Sequence, residues 1–142
     1  MKRVISILLA VMILAPVLYV PALAYDNSID ASHQISGYSI TITPRGSGRV
    51  EVTVNVTGTH RQMTRIGFPA IALHERNNSS SSWVTVRSSG PHWNPNVPAG
   101  SHTHTFTFQG VAGRQYYAYS TFFAQDAQGS DTRAANSPTI TA

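Results

Sequence analysis

Apolar and polar residues alternate through most of this 142-residue chain. The cleanest run is Val50, Val52, Val54 and Val56, interleaved with Glu51, Thr53, Asn55 and Thr57. Successive strand side chains point to opposite faces, so this run predicts a core strand with one dry and one wet face. Tyr38, Ile40 and Ile42 alternate in the same way with Ser39, Thr41 and Thr43, and Pro44 ends that strand. A hairpin is predicted over 102–129. His102, His104, Phe106 and Phe108 share one face of its first strand, and Thr103, Thr105 and Thr107 share the other. Gly110 to Gly113 forms the corner. The strand from Gln115 then carries rings or small residues on both faces, which suits a central strand.

The remaining elements are shorter. Ile66 to His74 reads as a strand in which Pro69 removes one ladder bond, so an edge position or a bulge is expected. Gly58–Arg65 and Glu75–Ser82 read as polar loops, and Trp83–Arg87 as the returning strand. Ser88–Gly100 is a long connection with three prolines. Asp131–Asn136 reads as loop and Pro138–Thr141 as a short last strand with Ile140 inward. No stretch after residue 24 has helical periodicity. Short, regularly spaced strands of this kind predict an all-β antiparallel two-sheet sandwich of about seven strands. A small barrel is the alternative.

Composition changes this picture in three ways. First, Lys2 and Arg3, an apolar run from Val4 to Leu18 and the small-x-small site Ala22-Leu23-Ala24 form a secretory signal pattern. Cleavage is expected after Ala24, giving a signal peptide at 1–24, a flexible leader at 25–36 and a sandwich domain at 37–142. Export implies a secreted, extracellular or loosely surface-associated protein with no membrane span in the mature chain. Second, the chain has no cysteine, so packing must supply stability without disulfides. Third, the formal charge of +4 falls by two when Lys2 and Arg3 leave, and the remaining arginines are scattered. That argues against nucleic acid as a partner, which would need a clustered basic stripe.

With WVTV at 83–86, Val111, Ala112-Gly113, Tyr116 or Tyr117, Ala124, Gly129 and the closing SPTIT at 137–141, the chain resembles a fibronectin type III, immunoglobulin-like domain. The whole chain also resembles small secreted proteins of unknown function from Gram-positive bacteria. The family resemblance implies a binding or spacer module rather than an enzyme, although a fold alone does not fix a function.

Two groups of residues are candidates for chemistry. The Pro-stiffened segment 90–100 would present Trp93 at low entropic cost, flanked by His92, Asn94 and Asn96. Such an aromatic suits stacking on a sugar or anchoring in a protein. Alternatively, Trp93 folds back to cap a sheet edge. His102 and His104 lie about 6.6–6.8 Å apart along one strand face. With a further ligand such as His92, His74 or Glu75 they could share a zinc or copper ion. Otherwise they simply extend the inner face toward the rim.

Arg61, Arg65 and Arg76 fall in loops expected to share one end of the sandwich, where they form either an anion contact or a solvated rim. Sequons at Asn55, Asn77 and Asn78 are incidental in a bacterial protein. No G-x-S-x-G elbow, catalytic triad spacing or local carboxylate pair is present, and no cofactor motif occurs. The expectation is therefore a secreted, non-enzymatic sandwich that binds a cell-surface or extracellular carbohydrate or protein. The alternatives are a metal-binding domain and a small toxin or bacteriocin-like protein.

Overall fold

A computed structural model describes residues 33–142. The expected signal peptide and residues 25–32 of the expected leader lie outside the described residues. Ten strands follow in order: β1 (Ile35–Pro44), β2 (Arg49–Gly58), β3 (Arg65–Phe68), β4 (Ile71–Arg76), β5 (Val84–Ser89), β6 (His92–Trp93), β7 (Ser101–Gln109), β8 (Gln115–Gln125), β9 (Ser130–Asn136) and β10 (Ile140–Thr141). No helix occurs among the described residues.

The strands form two antiparallel sheets, as the alternation predicts. The first has the order β1-β2-β7. The second has the order β5-β4-β8-β3-β6, with β9 and β10 also paired to β8. Ser120 pairs with both Ile71 and Ala135, and Phe123 with both Gly67 and Thr132. Hence β3 and β4 share one edge of β8, and β9 lies along the other. This arrangement is compatible with an immunoglobulin-like or fibronectin III-like sandwich.

The core lies where the two inner faces meet. Val50, Val52, Val54 and Val56 are all fully buried, facing Ile71 and Leu73 of β4 and Tyr116, Ala118, Phe122 and Ala124 of β8. Burial of one such valine contributes about 1.5–3 kcal/mol. Met63 adds a fully buried side chain from the segment that reads as a polar loop. The mutual hydrogen bonds of Met63 and Ala99 hold that segment in place.

Three expectations need correction. Ile66–His74 is two strands, split at Pro69-Ala70. Proline cannot donate there, and the Ala70 N–H turns to the Thr121 hydroxyl at 3.0 Å instead. Residues 131–136, read as loop, belong to β9. The run SDTRAAN has little apolar alternation of its own, yet it completes the free edge of β8 and turns Asp131 and Ala135 toward the core. The long connection at 88–100 also contains the end of β5 and all of β6. In addition, β1 begins at Ile35, and the neighbouring Gln34 is buried, so ordered structure starts before residue 37.

Candidate functional site

The site is built on a network in the second sheet. Gly110 opens the corner after β7, where an added Cβ would lie 2.4 Å from the Tyr116 hydroxyl. With glycine there, the Val111 N–H donates to that hydroxyl at 2.8 Å, the bond of a tyrosine corner. The hydroxyl donates in turn to Glu75 Oε2 at 2.5 Å, and the other carboxylate oxygen pairs with Arg114. Burial and the bond to Glu75 raise the Tyr116 pKa. Glu75 is therefore committed to a structural network. The same network fixes the register of β4 against β8.

That register decides what faces outward. Glu75 opposite Tyr116 points inward, so His74 opposite Tyr117 and Arg76 opposite Gln115 point to the outer face. The His74 and Tyr117 rings stack with centroids 4.6 Å apart and a 12° interplanar angle. Trp83 meets Tyr117 edge-on at 4.6 Å, and the Arg76 guanidinium lies 4.3 Å from the Trp83 ring. Arg76 Nε is held by Gln115 at 2.8 Å, and the Thr85 hydroxyl lies 3.1 Å from His74 Nδ1. Burial lowers the His74 pKa, which favours a neutral ring.

A second cluster stands at the other end of β8. Trp93 meets Phe123 edge-on at 5.5 Å, and the Arg65 guanidinium lies 4.0 Å from Trp93. Gly67 makes room for it. A Cβ at that position would come within 2.2 Å of the His92 carbonyl oxygen and 3.0 Å of the indole. Tyr119 and Thr121 lie between the clusters on the same face of β8.

The four residues of the proposed Trp93 site separate in the structure. Alternation along β6 sends Trp93 outward and His92 inward. Trp93 is a half-buried strand residue on the sheet face rather than a loop tip. The Asn94 amide donates to the Ser101 carbonyl at 2.9 Å, and its oxygen accepts the Asn96 N–H at 2.9 Å. Both asparagines thus shape the turn.

His102 and His104 do share the inner side of β7, as the alternation predicts. His92 stacks on His104 at 3.9 Å, and His102 stacks on Phe68 at 5.4 Å. The Ser89 hydroxyl lies 3.1 Å from His92 Nε2. Ring-face stacking brings π-surfaces together rather than converging nitrogens. Among the described residues no three His, Cys, Asp or Glu side chains are grouped to hold a metal ion. Burial, then the charge of His92, lowers the His102 pKa. Burial followed by His92, His102 and Arg87 lowers that of His104. Arg87 closes this sandwich edge, with its guanidinium 4.6 Å from the Phe106 ring and an N–H donated to the Thr107 carbonyl at 3.1 Å.

Arg65 and Arg76 do not share one end of the sandwich. They pair at Gln125 and Gln115, opposite ends of β8. Sequence reasoning missed Tyr117, Phe123, His74 and Trp83 as one surface. The available signal was the alternation of β8, which separates Tyr117, Tyr119 and Phe123 from Tyr116 and Phe122. The partner strands were the missing information.

No protein-family model matches the chain, and no curated protein is significantly similar to it.

Proposed function

We propose that this protein is an exported, non-enzymatic binding module with a fibronectin type III-like sandwich, and that the outer face of its β8 sheet contacts an extracellular or cell-surface ligand. The observation that carries this reading is the aromatic surface of that face. It joins His74, Tyr117 and Trp83 at one end of β8 to Trp93 and Phe123 at the other, with a guanidinium over each indole. Pre-packed rings lose little conformational freedom on binding, which makes them efficient contact residues. The tyrosine-corner bond of Tyr116 and the strand order support the family resemblance. The signal pattern at residues 1–24 supports export.

A non-enzymatic role is favoured by how the described carboxylates are used. Glu51 pairs with Arg45, Glu75 with Arg114 and Tyr116, and Asp131 with Arg133. Asp126 accepts the Gln128 and Gly129 N–H groups in its turn. None is poised as a free acid or base beside a second one.

Sedimentation with intact cells and isolated cell envelopes tests the reading. Wild-type protein is expected in the pellet, and the Trp83→Ala/Trp93→Ala variant in the supernatant. Equal sedimentation of the two proteins would remove the aromatic face as the contact surface.

A further inference from the structure

The chemistry of the aromatic face narrows its ligand. Tyr117 and Phe123 are six residues apart on one strand, which separates the two aromatic clusters by about 20 Å. One small molecule cannot span both clusters, whereas an extended polymer lying along β8 meets each in turn. The clusters are also alike in construction, since each holds one arginine against one indole, with Arg76 4.3 Å from Trp83 and Arg65 4.0 Å from Trp93.

Charge gives the second restriction. The outward positions of β3, β4, β8 and β9 contain Arg65 and Arg76 but no aspartate or glutamate. Glu75 and Asp131 fall on the inward side of the same strands, Asp126 lies in the turn after β8 with its carboxylate accepting the Gln128 and Gly129 N–H groups, and Glu51 belongs to the other sheet. A cationic, ring-lined face without carboxylates complements an anionic ligand.

The spacing of cations then separates polymer classes. Each strand of duplex nucleic acid carries one phosphate per about 3.4 Å of helix axis, so about six per strand would lie over this length against two arginines. A polyol phosphate has no flat apolar ring to place on an indole. A chain of pyranose rings does have such faces, and an acidic one carries its carboxylates on those same rings.

We infer that the outer face of the β8 sheet binds an acidic polysaccharide built of pyranose rings, laid along β8 with sugar rings against the Trp83–Tyr117 and Trp93–Phe123 clusters and carboxylates at Arg76 and Arg65. This inference rests on the binding-module reading above. The guanidinium groups, already lying against the rings, meet carboxylates by charge-assisted hydrogen bonds. Tyr119 and Thr121 line the path between the two contacts.

Affinity electrophoresis of the full chain tests it, with gels containing polygalacturonate, neutral dextran or oligo-deoxythymidine. The expected result is retardation by polygalacturonate, weakened by salt and reduced about tenfold in Arg65→Gln and again in Arg76→Gln. The two tryptophans are the only ones in the chain, so their fluorescence should change on adding polygalacturonate to wild-type protein. Equal retardation by dextran, or stronger retardation by the oligonucleotide, would overturn the acidic-glycan assignment. So would polygalacturonate retardation unchanged by both arginine substitutions. If no polymer retards the protein but cell envelopes still pellet wild type and not Trp83→Ala/Trp93→Ala, the glycan class fails and the binding face stands. If envelopes pellet neither protein, both fail.

Discussion

The two sheets have similar inner faces and very different outer ones. Inside, both supply tightly packed side chains, valines from β2 and rings and alanines from β8. Outside, the first sheet is a field of hydroxyls. Thr41 pairs with Thr53 and Thr53 with Thr105, while Asn55 pairs with Thr103. The Thr53 and Thr105 hydroxyls bond at 3.0 Å, and the Asn55 amide donates to Thr103 at 2.7 Å. β-Branched polar residues on a wet sheet face are what strand stability alone requires. The outer face of the second sheet instead carries two indoles, Tyr117 and Phe123, with arginines against them. Core packing does not require those rings, because they lie outside the sandwich. That contrast, surface chemistry beyond what folding requires, is the reason the second sheet is proposed as the contact side.

The largest expected effect contrasts neighbours on β8. Phe122 is fully buried and Phe123 faces outward. Phe122→Ala should cost about 3–5 kcal/mol in urea unfolding. Phe123→Ala should cost about 1 kcal/mol, the worth of an aromatic pair. Equal costs would make the outer rings part of the structural core.

Next comes the network that sets the outer register. Tyr116→Phe strips the Val111 N–H and Glu75 of a partner and should cost about 1–3 kcal/mol, measured by chemical denaturation. A neutral substitution would detach the corner from the register of β4 and β8.

Acid should act on the edge between β6 and β7. The folded-state pKa values of His102 and His104 are lowered, so the unfolded chain binds protons more readily. Their effect on stability is absent above the unfolded value of about 6.5 and grows as pH falls through and below it. His74, lowered by burial on the outer face, adds a loss of the same sign. The charges acting on His104 are His92, His102 and Arg87, all cationic when protonated. Thermal melts from pH 7.5 to pH 5 should therefore fall, and His104→Gln should flatten the fall. An identical acid slope in that variant would remove His104 as a contributor. The smallest effect belongs to the hydroxyl face, where Thr105→Ala should change stability by about 0.5 kcal/mol or less, read from the same melts.

Legibility followed the same division. The inner faces could be read from alternation because Val50 to Val56 and His102 to Phe108 each have one dry side. β9 could not, because its place depends on the open edge of β8 rather than on apolar residues of its own. Trp93 shows the limit most plainly. Three prolines around it predict a presented loop, but a two-residue strand opposite Gly67 and Phe68 sets its direction and separates it from His92. Arg65 and Arg76 are eleven positions apart in sequence and read as neighbours on a rim. Their strands run along the same edge of β8, so they stand at its two ends. Pairing register is a long-range property, and only its local half is written in each strand.

The most direct test gives the second sheet the outer chemistry of the first. A Trp83→Thr/Tyr117→Thr/Phe123→Thr variant would be compared with wild type by thermal melting and by sedimentation with cell envelopes. The account predicts a variant that still melts cooperatively and remains in the supernatant while wild type pellets. A variant that pellets like wild type, or that no longer folds, would contradict the claim that these rings serve binding rather than the fold.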